Sequence, residues 1–270
     1  ASSTTVNAVR QITVYDLLRH TSGLTYAEFT RSPSMKSAYQ QAGLFSPDIP
    51  SLWITLTPEQ QVEAFAKAPL QWQPGSTWEY SLSTDLLGRV LEVVGKKPLG
   101  SLLEEKLIKP LGMKDTHFVV PSNKADRLAQ ALAIDPLTKA PMLAMLDVTK
   151  AQGNDSGGAG LSTTADDYLR FCQMLLNGGS LDGRRYLKAE TLRLMATNQL
   201  GDLPKVSFAP GMHMGQGFHV VHAPHGVTES LSAGTVGHGG AYGTQAWIDP
   251  VRRRAYVLLI QRTDLPNSDG

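Results

Sequence analysis

The sequence predicts an α+β fold, with helices first and antiparallel strands last. Three observations carry this. Helix caps followed by apolar residues at helical spacing recur between Thr13 and Met195. Beyond residue 200 the pattern changes to short apolar runs of strand length. Two of these runs, Gln245 to Asp249 and Ala255 to Gln261, flank a turn at Pro250 to Arg253, as an antiparallel pair requires.

The elements follow in chain order. Thr13-x-x-Asp16 is a capping box that opens a helix carrying Val14, Leu17 and Leu18 and stopping near Gly23. Residues 25 to 56 contain Pro33, Pro47 and Pro50 and show no clean period. Thr57-Pro58-Glu59-Gln60 starts the next helix with a cap, an early proline and a Gln at the third position. The helix after Tyr80 places Leu86, Leu87, Val90, Leu91 and Val94 on one face and ends at Gly95. Pro98 to Ile108 forms a short helix that Pro110 and Gly112 break. Thr164 caps a helix running to Asn177, with Tyr168, Phe171, Cys172 and Leu175 as its buried face and Gly178-Gly179 at its end. Another helix covers Ala189 to Met195. Strands are expected at Gly217 to Val221, at glycine-rich Thr235 to Gly243, and in the final pair. Val257 to Ile260 is apolar throughout, the mark of a strand covered on both faces. This divides the chain into a mostly helical region, 1–200, and an antiparallel sheet region, 201–270.

Composition excludes several classes. The 270 residues carry 25 Lys plus Arg against 24 Asp plus Glu, so nothing marks a nucleic-acid partner. No apolar run approaches a membrane span. One cysteine, Cys172, allows no intrachain disulfide; the cytoplasm is the preferred compartment, with the periplasm or secretion also open. No cofactor motif is present. His213, His219, His222 and His225 lack Cys or carboxylate company and read as surface or loop residues, not metal ligands.

Two segments could carry chemistry. Pro74-Gly75-Ser76-Thr77-Trp78-Glu79-Tyr80-Ser81-Leu82 sets a turn, an aromatic anchor and then a tyrosine just before a long helix. Such a tyrosine can be a general base where its pKa is lowered, or simply a packed side chain. Gly237-His238-Gly239-Gly240-Ala241-Tyr242-Gly243 has four glycines in seven residues. A strand so bare admits a ligand and offers N–H groups to an oxyanion, or else marks a bulge or tight corner.

Together these segments resemble the second and third motifs of the serine β-lactamase and penicillin-binding-protein superfamily, and above all its esterases that look like class C β-lactamases (family VIII carboxylesterases). Leu17-Leu18-Arg19-His20-Thr21-Ser22-Gly23-Leu24 is similar to the family's Leu-Leu-x-His-Thr-Ser-Gly-Leu signature. Gly157-Gly158-Ala159-Gly160 through Tyr168 is similar to its glycine-rich loop and helix. The resemblance implies a β-lactamase/transpeptidase-like fold, an antiparallel sheet flanked by helices plus a mostly helical region. It implies that Tyr80 shuttles the nucleophile's proton and that the Ala241 N–H serves the oxyanion hole. It places His238, Gly239, Gly240, Tyr242 and Leu82 along the substrate, with no metal or cofactor.

Two departures refine this. Leu82 stands where the family's Tyr-x-Asn motif has asparagine, which favours an ester with an apolar acyl part over a β-lactam. The Ser-x-x-Lys motif, which carries the nucleophile, occurs nowhere in the 270 residues. In the family it lies upstream of His-Thr-Ser-Gly. The resemblance therefore implies a carboxylesterase working through an acyl-enzyme on small-molecule esters of short or medium acyl chain. This chain would be its large fragment, inactive without an N-terminal fragment of the same protein as partner. The rival readings are a β-lactamase or D-amino-acid peptidase, and a non-catalytic binding protein of the same fold. Ser156, in Gly-Asn-Asp-Ser-Gly-Gly, and Ser22, beside His20, read as loop and turn residues. Cys172 reads as a small buried hydrophobe.

Overall fold

The computed structural model describes residues 5–136, 138–142 and 146–262. The chain forms two compact units that interleave in sequence. One takes residues up to 102 together with 151–160 and 201–207; the other takes 103–150, 161–200 and the chain from 208 on. Among the described residues no helix is long and apolar enough to cross a membrane.

In the first unit, α1 (Val14–Leu18) begins at the Thr13 capping box. It ends at Leu18, short of Gly23, because His20 takes a left-handed φ of 55° and turns the chain. Residues 25 to 56, aperiodic in sequence, hold α2 (Pro33–Ala42) and α3 (Leu52–Thr55). The end signals of α2 are present, with Ser32 as cap, Pro33 in the first turn and left-handed Gly43 at the close. Yet α2 buries only Tyr39 and Ala42, so no apolar stripe announces it. The Thr57–Gln60 capping box opens α4 (Pro58–Lys67).

The long helix α5 (Ser83–Gly95) has the expected length but buries its polar face most deeply, with Leu86, Leu87 and Val90 only half-buried. It buries Ser83, Asp85, Gly88 and Arg89, while Leu91 is 44% and Val94 76% exposed. The reason is the 151–160 loop, which packs on the polar face and satisfies it. Ser156 Oγ donates to Asp85, and Arg89 donates to the Asp155 carbonyl and pairs with Glu92. Gly88 and Gly157 lie backbone to backbone, so that a Cβ on Gly88 would sit 3.3 Å from the Gly157 nitrogen.

The next helix starts as α6 (Leu99–Leu103), widens into a π-turn over Glu104–Ile108 and closes as α7 (Lys109–Leu111). It therefore runs past Pro110, where a break was expected, and stops at left-handed Gly112. In the π-turn Lys109 N–H reaches back to Glu104 O, and this widening accommodates a proline that has no N–H to give.

In the second unit, α8 (Ala165–Leu176) is capped by Thr164 and ends at Asn177, as read from the sequence. A hairpin, β1 (Ser180–Leu181) with β2 (Arg184–Arg185), and then α9 (Ala189–Met195) follow. The sheet is an antiparallel meander in chain order: β3 (Met212–Met214), β4 (His219–Val221), β5 (Val236–Gly239), β6 (Gln245–Asp249) and β7 (Arg254–Leu258). One face packs on α8 through Cys172, Leu175, Val220, Val236 and Ile248. Met212, Val221, Leu231 and Trp247 form a second cluster.

The strands differ from expectation at two places. The glycine-rich strand ends at Gly239, and residues 240–243 make the turn into β6, closed by Gly243 N–H to Gly240 O at 2.9 Å. The apolar run 257–260 is not covered on both faces. β7 ends the described sheet order, and while Ala255 and Val257 pack on the α8 core, Leu258 is 53% and Leu259 42% exposed. Among the described residues the other face of β7 is exposed, with Tyr256 at 37%.

Candidate active site

The first unit builds the surroundings of Tyr80 from two segments far apart in sequence. The His20–Gly23 turn binds the 71–79 loop through backbone hydrogen bonds: Gly75 N–H to Thr21 O (2.7 Å), Gln71 N–H to Gly23 O (2.7 Å) and Glu79 N–H to His20 O (3.0 Å). Gly23 has a φ of +87°, and a Cβ there would strike the Trp72 carbonyl, so glycine is required. On the other side Trp78 exchanges backbone hydrogen bonds with Pro204 and Val206. Glu79 is buried and accepts from Thr25 Oγ1 (2.6 Å) and from Trp72 Nε1. Tyr80 is thus fixed by neighbours tied on both flanks.

The Tyr80 ring is half-buried, 5.0 Å from the His20 ring and 5.2 Å from the Tyr26 ring. Tyr26 is buried and also packs on Trp53, at 5.4 Å. Leu82, two residues on, is 1% exposed and presents almost no surface to a ligand in this arrangement.

Four serines of this unit, Ser22, Ser81, Ser83 and Ser156, are buried in hydrogen-bond networks. Ser22 is fully buried, bonded to Ser83 Oγ at 2.8 Å; Ser83 in turn bonds Ser81 Oγ at 2.8 Å, and His20 Nδ1 lies 3.3 Å from Ser81 Oγ. Ser156 is buried against Asp85 and accepts from the N–H groups of Gly158 and Ala159. Asn154 donates to the carbonyls of Trp53, Ile54 and Leu56, which holds the loop under α3.

Tyr26 and Asp85 were not singled out by sequence reasoning. Tyr26 follows the His-Thr-Ser-Gly-Leu run by two residues. Asp85, Arg89 and Glu92 form a charged stripe at helical spacing, which reads as a solvated face until the loop that covers it is known. Burial pushes the Asp85 carboxyl up, against the hydrogen bonds from Ser156 and Gly158 and the charge of Arg89, which act to lower it.

The second unit carries the other candidates on β5 and its turn. His238 pairs with Ala246 and Gly239 with Gln245 across to β6. The His238 Nδ1 lies 2.5 Å from the Gly239 carbonyl, and its ring stacks on His219 at 4.5 Å. His219 is 2% exposed, contrary to its reading as a surface residue, because β4 lies inside the sheet and Phe208 covers the ring edge-on. His213 and His222 stack on each other at 4.4 Å. Among the described residues no group of three or more His, Cys, Asp or Glu could hold a metal ion.

Ala241 is exposed at the turn, outside the β5–β6 ladder, and Tyr242 is half-buried beside it. An N–H in that position can donate to an oxyanion. Packing accounts for two of the glycines: a Cβ on Gly237 would strike the Ala246 carbonyl, and one on Gly240 the Thr244 hydroxyl. Cys172 is fully buried, and burial pushes its thiol up to about 12.

A helix-flanked antiparallel sheet joined to a mostly helical region is the β-lactamase/transpeptidase-like fold of the serine hydrolases. The Beta-lactamase family model matches residues 4–270, and the chain belongs to that family, whose members include esterases. It is 35% identical over 265 residues to Protein Rv1367c of Mycobacterium tuberculosis, covering 94% of this chain and 63% of that protein. It is 30% identical over 266 residues to Esterase EstB of Burkholderia gladioli, covering 92% of this chain and 64% of the esterase. Among solved structures it matches EstCE1, described as a hydrolase with promiscuous acyltransferase activity. The TM-score is 0.71 at 27% identity, over 94% of this chain and 68% of that one. The chain spans less than two thirds of the length of these two curated relatives.

Proposed function

We propose that this chain is the larger part of a serine carboxylesterase that cleaves esters of short or medium acyl chain through an acyl-enzyme. The observation that carries the reading is the setting of Tyr80. It is a half-buried tyrosine, locked by the His20–Gly23 turn and Glu79, with its ring packed on a second, buried tyrosine. That is how a general base is held in place. The likeness to Esterase EstB supports an ester as the substrate.

In this reading a serine from Ser-x-x-Lys, supplied by residues outside the 270, attacks the ester carbonyl. Its proton passes to Tyr80 and the C–O bond to the alcohol breaks as Tyr80 returns that proton to the leaving oxygen. The Ala241 N–H donates to the carbonyl oxygen while it carries negative charge. Water then attacks the acyl-enzyme, giving its proton to Tyr80, and the serine leaves with a proton restored. His238, Gly239, Gly240 and Tyr242 line the acyl group, and Leu82 backs the Tyr80 loop with apolar packing.

The test is hydrolysis of p-nitrophenyl butyrate by the protein with its Ser-x-x-Lys segment present. Tyr80→Phe should lower kcat by about a hundredfold or more, the scale of a general base. Near-normal turnover by that variant would remove Tyr80 from the mechanism. The 270-residue chain assayed alone should show no turnover; activity there would place the nucleophile within it.

A further inference from the structure

Tyr80 lies in irregular chain just ahead of α5, so its place is fixed by neighbours and not by a helix or sheet. Both amides that flank it donate to one residue. Glu79 N–H donates to the His20 carbonyl at 3.0 Å, and Ser81 N–H donates to His20 Nδ1 at 3.3 Å. The His20 ring faces the ring of Tyr80 itself at 5.0 Å and meets Trp78 edge-on at 6.4 Å. His20 thus engages the consecutive residues 78 to 81, and it is buried.

We propose that His20 is a positioning residue for Tyr80: a neutral imidazole, its proton on Nε2, whose Nδ1 and backbone carbonyl clamp the chain on either side of the tyrosine. The catalytic meaning of the clamp rests on the esterase reading; the clamp itself and the place of the proton do not.

The place of the proton follows from the donors. A backbone N–H can only donate, so the Nδ1 that receives Ser81 N–H carries no proton. A chain of hydroxyls reaches the same nitrogen and has the same polarity. Leu24 N–H donates to Ser22 Oγ at 3.1 Å. Ser22 Oγ lies 2.8 Å from Ser83 Oγ, Ser83 Oγ 2.8 Å from Ser81 Oγ, and Ser81 Oγ 3.3 Å from His20 Nδ1. With an amide as donor at the near end, each hydroxyl accepts once and donates once when the bonds run from Ser22 to Ser83 to Ser81 to His20. An acceptor must stand at the far end, and the bare Nδ1 is that acceptor. Ser22, Ser81 and Ser83 are fully buried, where hydrogen bonds of one direction reinforce each other.

The backbone of His20 carries strain for this arrangement. Its φ of 55° is left-handed, a conformation uncommon outside glycine and kept where the surroundings fix it. Glycine would adopt it freely but would give up Nδ1 and the ring. The next residue, Thr21, accepts from Gly75 N–H through its carbonyl, so the clamp is continuous with the ties on the 71–79 loop.

The first test needs no substrate and no variant that must stay active. In the 270-residue chain with 15N-labelled histidine, long-range 1H–15N correlations from the ring protons separate a bare imidazole nitrogen from an N–H. The His20 signals are assigned by their loss in His20→Asn. At neutral pH Nδ1 should appear bare and Nε2 protonated; a proton on Nδ1 overturns the proposal. The second test uses the ester-hydrolysing protein, with kcat counted per serine titrated by a fluorophosphonate, which leaves unfolded molecules out. His20→Phe keeps a ring and has no acceptor. It should lower kcat by about tenfold or more while KM changes by less than about twofold, the mark of a misplaced base. Asparagine tolerates a left-handed backbone, and its side-chain oxygen can accept from Ser81 N–H, so His20→Asn should recover kcat to within about threefold of the wild type. Normal kcat in His20→Phe, or an asparagine variant as slow as the phenylalanine one, overturns the clamp. Absence of ester hydrolysis in the wild type, with Nδ1 bare, would count against the function and leave the neutral His20 standing.

Discussion

Glu79→Gln tests how the Tyr80 loop is held. The Glu79 carboxylate sits between two donors, Thr25 Oγ1 at 2.6 Å and Trp72 Nε1, and only 8% of the residue is exposed. Thr25 is itself fixed by its N–H to the Tyr39 oxygen at 3.1 Å, with Tyr39 fully buried, so neither donor can swing away cheaply. A glutamine of the same shape presents one oxygen and one NH2. It can accept from one donor and must set its own N–H against the other. The loss is one hydrogen bond to a charged acceptor, about 1.5–3 kcal/mol, with a buried donor left unpaired at about 1–3 kcal/mol. Since the two terms overlap, the expected cost is about 3 kcal/mol. The assay is urea unfolding followed by tryptophan fluorescence. Three of the four tryptophans, Trp53, Trp72 and Trp78, lie in the first unit, so the transition chiefly reports that unit. A double-mutant cycle with Thr25→Val isolates the pair. A loss below about 1 kcal/mol, or a coupling near zero, would refute the account of Glu79 as the tie between loop and core.

Two further outcomes follow from the same unit. Gly23→Ala should cost about 2 kcal/mol or more, since the position combines a left-handed φ with a Cβ that meets the Trp72 carbonyl; a change within about 0.5 kcal/mol in urea unfolding would contradict that contact. At Asp16, burial opposes ionisation, but the bonds from Arg10, Thr13 and Thr21 prevail and hold the carboxyl well below the usual carboxylate range. A lowered native pKa gives stability that is complete above the unfolded value of about 4 and is lost as pH falls below it. The urea midpoint should therefore fall between pH 5 and pH 3 by more in the wild type than in Asp16→Asn, and parallel profiles would exclude the effect.

Much of this protein was legible in its sequence. The capping boxes at Thr13 and Thr57, the cap at Thr164 and the hairpin around Pro250–Arg253 are local signals, each made by a few adjacent residues, and the structure has them where the sequence put them. The family could be read too, because its motifs are short and contiguous: the Leu-Leu-x-His-Thr-Ser-Gly-Leu run, the Tyr80 loop and the glycines from 237 to 243. What misled was hydrophobic period taken as burial. On α5 the apolar stripe was plain, yet the helix turns Asp85, Gly88 and Arg89 inward, since a loop seventy residues on brings the hydroxyl, carbonyl and N–H groups that satisfy them. The same holds for α2, whose caps outweigh a nearly absent stripe, and for β7, whose apolar run meets packing on one face alone among the described residues.

The sequence by itself determined the local folding code and the family, because caps, turns and motif glycines act over a few residues. Only the tertiary structure decided that 151–160 joins the first unit, that Ser22 and Ser156 are sealed as packing groups, and that the Tyr26 ring packs on that of Tyr80 across fifty-four residues of chain. These are long-range meetings of polar side chains. Their partners are chosen by where the backbone brings them once the core has formed, and no spacing along one strand of sequence records that choice.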